Sequence, residues 1–146
     1  MDVYSKHVEV RWSDMDPNFH LRHSVYYDWG AYIRLCFLNE NGLSLGVLQQ
    51  LHFGPILFRE ECVFKREIAF ADSIEVNLKL RKCRRDYSRW TMIHEVYKNT
   101  DTLSAIITVD GAWIDTHIRK LAIPPPVTQQ AFEAIPKTGD FEWTDQ

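Results

Sequence analysis

The feature that most constrains the fold is one long helical pattern followed by several strand-like segments. Within residues 24–41, apolar side chains recur at the spacing of a single helix face, at Val25, Trp29, Tyr32, Ile33, Cys36 and Phe37. Ser24 has the side chain of an N-cap, and Gly42 marks a helix end. At ~1.5 Å per residue such a helix would run about 27 Å, long enough to cross a sheet. Because it is rich in aromatic residues and poor in charges, we predict that it is largely buried.

The rest of the chain has the pattern of strands joined by short turns. Residues 7–12 alternate between polar and apolar side chains, as a half-buried strand does. β-branched and aromatic residues are then frequent in four later segments, at 56–70, 73–83, 88–97 and 103–113. The short breaks between these segments favour antiparallel neighbours joined by hairpins. We therefore predict an α+β fold, with an antiparallel β-sheet wrapped around one long central helix.

Length and proline content predict one domain with a short extension. The chain has 146 residues, enough for one domain that buries a sizeable core. Three consecutive prolines at 124–126 end the strand pattern, because proline lacks the N–H that a strand needs. We predict a domain over residues 1–126 and a C-terminal extension over 127–146. In the extension, Thr128 is expected to begin a helix that ends near Ala134, and residues 137–146 are expected to be mobile.

Charge and cysteine usage exclude several classes of protein. The formal net charge of −3 gives no reason to expect nucleic acid or an anionic membrane as a partner. The three cysteines, Cys36, Cys62 and Cys83, are odd in number and widely spaced, which argues against a disulfide framework and a zinc site. The N-terminal residues lack the apolar run of a signal peptide. We expect a cytoplasmic protein with reduced thiols.

Residues 11–26 carry the pattern that predicts chemistry. Asp14 and Asp16 stand at the end of a predicted strand, a polar turn follows, and the long helix begins near Ser24. The start of a helix presents unpaired backbone N–H groups that can hold an oxygen as it becomes negative. A carboxylate beside such a site can attack a carbonyl carbon or activate a water to do so. The arrangement points to acyl-transfer chemistry.

Two other interpretations of these residues stay open from the residues alone. Asp14 and Asp16 are also common turn residues, because their side chains bond to nearby backbone groups. With His20 and His23, the two carboxylates have the mixed nitrogen and oxygen chemistry of a metal site. Histidines on a turn more often bond to backbone groups than to a metal, and we predict no metal here.

The same residues resemble a known family. The run Asp16-Pro-Asn-Phe-His-Leu-Arg-His-Ser-Val-Tyr26 is similar to the segment Asp-x-x-Gly-His-Val-Asn-Asn-x-x-Tyr of hotdog-fold acyl-CoA thioesterases, nearest to the 4-hydroxybenzoyl-CoA thioesterase-like group. The resemblance implies a hotdog fold and makes Asp16 the nucleophile or general base. It also implies that the backbone N–H at His23 faces the thioester oxygen. Phe19 stands where the family has glycine, and Arg22 and His23 replace the paired asparagines.

A basic run at residues 79–85 is the second candidate site. It reads Lys-Leu-Arg-Lys-Cys-Arg-Arg and closes one predicted strand before a turn. The resemblance implies that this region contacts the phosphates of coenzyme A, and we assign that contact to Arg84 and Arg85. Guanidinium groups match phosphate oxygens in geometry. The alternative is a solvated hairpin tip whose charge discourages aggregation.

These observations predict an acyl-CoA thioesterase with Asp16 and His23 as catalytic residues and with no cofactor. A hotdog enoyl-CoA hydratase is one alternative, because residues 14–20 resemble the Asp-x-Asn-Pro-x-His motif of such enzymes. A non-catalytic acyl-binding module is another. Glu60 and Glu61 receive no role. The resemblance further implies a homodimer or homotetramer in which both chains line each acyl site.

Overall fold

The computed structural model describes residues 3–145 as a curved sheet packed around one long helix. The chain runs through eight strands and three helices: β1 Ser5–Val8, α1 Val25–Glu40, α2 Leu45–Leu51, β2 Phe53–Phe64, β3 Ile74–Asn77, β4 Lys79–Arg84, β5 Arg89–Lys98, β6 Thr102–Asp115, β7 Lys120–Leu121, α3 Pro126–Glu133 and β8 Lys137–Thr144. A short 3₁₀ turn at Trp12–Asp14 lies between β1 and α1. The predicted α+β class and the central helix are confirmed.

Helix α1 follows the predicted pattern closely. It begins after Ser24 and ends before Asn41, within one residue of the predicted limits at each end. Its sheet-facing side is buried, including Val25, Ile33 and Phe37 at 3% exposure or less. Tyr32 was predicted on the buried face but is 47% exposed in the single chain. No helix within residues 3–145 is both long enough and apolar enough to cross a membrane.

The strands form one sheet with β5 at its centre. β5 pairs with β6 on one side, and on the other side its two halves pair with β3 and β4. β3 and β4 are one extended segment interrupted at Leu78, where a single strand was predicted. β1 pairs antiparallel with β3, and β6 pairs with β2 along almost its whole length. The predicted first strand was displaced, since residues 9–12 leave the sheet.

Strand β2 is the exposed edge of this sheet. Among residues 3–145 it pairs only with β6, although it is one of the longest strands. Several of its apolar side chains lie in water: Leu57 at 43%, Phe58 at 52%, Val63 at 49% and Phe64 at 53% exposure. Soluble proteins avoid leaving a long apolar edge strand unpaired, because it pairs readily with other chains. This edge is therefore the part of the single chain that most needs a neighbour.

The C-terminal extension is built onto the same core. Phe132 of helix α3 is fully buried and packs against Trp113, with ring centroids 5.8 Å apart. Residues 137–144 were predicted to be mobile and instead form β8, which pairs in parallel with β4. β8 was missed because its residues, Lys-Thr-Gly-Asp-Phe-Glu-Trp-Thr, are mostly polar and include a glycine. Such a segment carries no alternation of apolar and polar residues from which a strand could be predicted.

Candidate active site

The segment between the 3₁₀ turn and α1 is folded into a tight, hydrogen-bonded loop. The Asp16 N–H donates to the His20 carbonyl at 2.9 Å, and the Phe19 N–H donates to the Asp16 carbonyl at 3.0 Å. Met15 and Leu21 form an isolated antiparallel bridge that closes the loop. Phe19 has a φ of +64°, in the left-handed region where glycine is usual. This conformation explains why the resembling family carries glycine at the position of Phe19.

The loop fixes the Asp16 carboxylate and leaves part of it free. Its Oδ1 accepts the N–H groups of Asn18 at 2.8 Å and of His20 at 3.2 Å. Its Oδ2 accepts no hydrogen bond from the residues that the structure describes. Backbone donors of this kind hold a carboxylate in one orientation without neutralising it. One oxygen of the Asp16 carboxylate is therefore available to a group from outside the loop.

Asp14, two residues earlier, is held in the opposite way. Its side chain is 1% exposed, and it accepts the Arg11 Nη2 at 2.8 Å and the Arg11 backbone N–H at 2.9 Å. The hydrogen bond from Arg11 is the main reason that the pKa of Asp14 is lowered. The Asp14 carbonyl also accepts the Arg22 N–H at 2.7 Å. The side chain and the backbone carbonyl of Asp14 therefore both stabilise the loop.

The start of α1 presents unpaired backbone donors beside Asp16. The Val25 N–H donates to the Arg22 carbonyl at 3.1 Å, whereas the N–H groups of His23 and Ser24 reach no acceptor within residues 3–145. The Ser24 hydroxyl accepts from Arg22 rather than capping the helix. Free N–H groups at a helix start are suited to hold a developing negative oxygen. The His23 side chain itself is exposed.

Asp16 and His23 face one open cleft. The cleft is about 360 Å³ and is bordered by the end of β2 and the segment after it, from Phe64 to Ile68. His20 also borders it, with its Nε2 3.2 Å from the Glu67 carboxylate. The structure thus brings together the predicted catalytic residues Asp16 and His23. No group of three histidine, cysteine or acidic side chains that could hold a metal ion lies between residues 3 and 145.

The basic run lies at another turn and is largely paired with acids. Four cations in it have carboxylate partners within 4 Å, and three of the partners belong to β8 or follow it: Lys79–Glu95, Arg81–Asp140, Lys82–Glu142 and Arg85–Asp145. Arg85 also lies over the Trp143 ring. Arg84 forms no salt bridge with the described part of the chain and borders a surface depression together with Arg89 and Ala112. The roles predicted for Arg84 and Arg85 stay predictions.

The two predicted sites lie at opposite ends of the sheet. The cleft of Asp16 is bordered by Phe64, at the C-terminal end of β2. The depression of Arg84 is bordered by Ala112, which pairs with Ile56 near the other end of β2. From Ile56 to Phe64 the strand rises about 26 Å at ~3.3 Å per residue. One chain alone does not place Arg84 or Arg85 beside Asp16.

A cavity between α1 and the sheet was not predicted. It has a volume of about 240 Å³ and an aliphatic and aromatic lining, apart from Arg34. Exposed Leu35 and Leu57 border its mouth, and buried Trp113 and Phe132 border its inner end. A charged residue in the middle of a mostly apolar helix was the sequence feature that would have drawn attention to it.

Comparisons with known proteins identify the family. A model of the thioesterase-like superfamily matches residues 10–132, a range that includes the Asp16 loop, α1 and the six strands from β2 to β7. The resemblance found in the sequence is thereby confirmed. A sequence search among curated proteins finds no match.

Solved structures confirm the hotdog fold. A hypothetical protein from Staphylococcus aureus, solved in complex with CoA, superposes with a TM-score of 0.84 at 20% identity, covering 90% of this chain and 82% of that one. A 1,4-dihydroxy-2-naphthoyl-CoA thioesterase from Synechocystis gives 0.79 at 18%, covering 91% and 97%. A thioesterase from Thermus thermophilus, complexed with coenzyme A and Zn, gives 0.73 at 23%, covering 90% and 92%. At these identities the likeness establishes the fold.

Proposed function

Because the chain belongs to the thioesterase-like superfamily, we propose that it hydrolyses an acyl-CoA thioester to a carboxylic acid and coenzyme A. The observation that carries the proposal is the pairing of Asp16 with the start of α1. The Asp16 carboxylate is fixed by two backbone N–H groups and keeps one oxygen free, in the same cleft as the unpaired N–H of His23. These are the two components that thioester hydrolysis requires.

The reaction follows from this geometry. The thioester carbonyl oxygen accepts the N–H groups at His23 and Ser24, which stabilise the negative charge that it gains on attack. Asp16 either takes a proton from the attacking water or attacks the carbonyl carbon itself. In both cases the C–S bond breaks, the thiolate of coenzyme A leaves, and water supplies the hydroxyl group of the acid. Asp14 contributes by holding the loop in which Asp16 lies.

We propose that the complete site needs two protomers joined along β2. Antiparallel pairing of two β2 strands about a two-fold axis would continue the sheet and cover the exposed Leu57, Val63 and Phe64. The same pairing brings the Phe64 end of one strand beside the Ile56 end of the other. Asp16 of one protomer would then lie near the depression of Arg84 in its partner.

The acyl group has a matching place in this assembly. Ile56 and Leu57 border the cavity beneath α1, at the end of β2 that would face the partner's Asp16 loop. The acyl group would enter that cavity, while Arg84 and Arg85 on the same protomer contact the phosphates of coenzyme A. Arg84 forms no salt bridge with the described residues, although its charge helps to lower the pKa of the nearby Asp86, whereas Arg85 would first have to leave Asp145. The free thiols of Cys36, Cys62 and Cys83 suit a reducing compartment such as the cytoplasm.

A panel of acyl-CoA substrates tests the proposed activity. Release of free thiol from acyl-CoAs that differ in chain length and aromaticity is the expected result, with little hydration of crotonyl-CoA measured in parallel. Hydration without thiol release would assign the site to the enoyl-CoA hydratase class. Binding of acyl-CoA without either reaction would identify a non-catalytic module.

A further inference from the structure

The cavity beneath α1 contains one charged group in an apolar wall. Arg34 lines it, and its side chain is only 12% exposed. The other lining residues are aliphatic or aromatic, among them Phe37, Met92 and Trp90. A guanidinium group in such surroundings is costly unless its charge and its N–H groups are matched. The groups that pair with Arg34, and the N–H donors left without a partner, therefore indicate the chemistry of the ligand that the cavity binds.

Arg34 is fixed in place by a neutral histidine. Its Nη1 lies 2.9 Å from Nε2 of His94, and Nδ1 of His94 lies 3.0 Å from the Asn77 carbonyl. A carbonyl oxygen can only accept, so Nδ1 carries the proton and Nε2 accepts from Arg34. Burial, with the nearby charge of Arg34, lowers the pKa of His94 to about 3, so the ring stays neutral. Gly30 leaves the room for this contact, because a Cβ there would lie 3.1 Å from the His94 ring.

The remaining N–H groups of Arg34 are not matched by the protein. A guanidinium group has five N–H donors, and the His94 contact uses one of them. The nearest carboxylate, that of Glu60, is 3.8 Å from Nη2, beyond hydrogen-bonding distance. Arg34 has no other hydrogen-bond acceptor in the described residues. Glu60 is on the edge strand and is 28% exposed, so it lies towards the solvent side of the pair.

We propose that Arg34 selects acyl groups that carry a carboxylate at their far end, an inference that rests on the thioesterase function proposed above. A carboxylate matches the two parallel N–H groups of a guanidinium fork and supplies the acceptors that Arg34 lacks. The cavity volume of about 240 Å³ suits a short acyl chain. The substrate class is therefore the CoA thioester of a short dicarboxylic acid.

The test compares two substrates of the same size. One is adipoyl-CoA, and the other is the thioester in which an isopropyl group replaces the distal carboxylate. Arg34→Met keeps the apolar stem and removes the charge, so the ratio of kcat/KM for adipoyl-CoA over its apolar counterpart should fall by about 10- to 100-fold. Glu60→Gln removes the competing negative charge, so the same ratio should rise.

Selection by Arg34 predicts that the kcat/KM ratio falls in Arg34→Met and rises in Glu60→Gln. A purely structural role of Arg34 does not predict these opposite changes. A ratio that is unchanged in both variants overturns the proposal, while thiol release from the apolar substrate leaves the thioesterase function standing. If neither thioester is cleaved, binding of adipoyl-CoA measured by thermal shift replaces the rate. A larger stabilisation of the wild type by adipoyl-CoA than by its apolar counterpart, lost in Arg34→Met, then supports selection by Arg34, and an equal difference in both proteins overturns it. If Arg34→Met does not fold, a Glu60→Gln ratio that fails to rise is sufficient to overturn the proposal.

Discussion

The Asp16 loop and the basic turn at 84–87 hold their functional groups in contrasting ways. In the loop, backbone N–H groups bind one oxygen of Asp16 and leave the other free, while Asp14 is fully committed to Arg11. At the basic turn, Arg85 forms an exposed salt bridge with Asp145, and Lys82 on the preceding strand is paired with Glu142 of β8. The Asp16 carboxylate is thus already oriented in the single chain, with one oxygen unpaired among the described residues. Of the two arginines proposed to bind phosphate, Arg85 would have to release Asp145 first, whereas Arg84 forms no salt bridge with the described residues.

The Asp16 loop and the basic turn also differ in their position along β2. The loop lies near Phe64 and the basic turn near Ile56, at opposite ends of β2. An acyl-CoA substrate can contact both regions at once only if β2 pairs antiparallel with β2 of a second chain. This pairing brings the Asp16 loop of one protomer beside the basic turn of the other. Pairing along the exposed edge strand β2 would therefore serve the proposed function as well as the stability of the sheet.

The largest expected effect is at Asp16. Asp16→Asn keeps the size of the side chain but removes the base or nucleophile, so turnover should fall by ~100-fold or more in thiol-release assays. A folded Asp16→Asn variant with near-normal turnover would contradict the mechanism.

Asp14→Asn is the matched control within the same loop. It should cost much less turnover per folded molecule and reduce the free energy of unfolding by ~1–3 kcal/mol, because it removes a buried acceptor from Arg11. Since the folded pKa of Asp14 is lowered, its stabilising effect is present at neutral pH and is lost as the pH falls below the usual carboxyl range. Equal losses of turnover at Asp14 and Asp16 would remove the distinction between them.

A smaller effect is expected at the basic turn. Replacing Arg84 and Arg85 together by Ala should raise KM for acyl-CoA by ~10-fold, the scale of a charged hydrogen bond. KM for an acyl-pantetheine without the nucleotide should change little, and high salt should weaken the difference. Arg81→Ala, which breaks the pair with Asp140, is the control and should leave KM unchanged. Equal effects on both substrates would mean that the turn is structural.

The smallest effect concerns the backbone of the Asp16 loop. Phe19 is 82% exposed and holds a left-handed conformation that costs a non-glycine residue ~1–3 kcal/mol. Phe19→Gly should raise the free energy of unfolding by about 1 kcal/mol after the entropy of glycine is subtracted, as measured in denaturant. Phe19→Ala keeps the strained backbone and should show no gain. Loss of stability in Phe19→Gly would show that the ring has a contact in the assembled protein.

Local patterns in the sequence predicted the parts of the fold that they determine. Helix α1 and the central strands have strong periodicity, and their positions were predicted to within a few residues. β8 and the interruption at Leu78 depend on pairing between distant segments, which one sequence does not reveal. Asp16 was found through its motif, whereas the contact between Arg34 and His94 joins residues 60 positions apart and has no motif.

Mixed dimers test whether Asp16 of one protomer works with the cavity of its partner. Leu35 is 43% exposed at the cavity mouth, so Leu35→Trp should block entry without disturbing the core. Asp16→Asn and Leu35→Trp should each be inactive alone. Mixed in equal amounts and reassembled, with the fraction of mixed dimers measured by co-purification through an affinity tag on one variant, they should recover about a quarter of wild-type turnover, because half of the dimers gain one intact site. No recovery in verified mixed dimers would contradict a shared site.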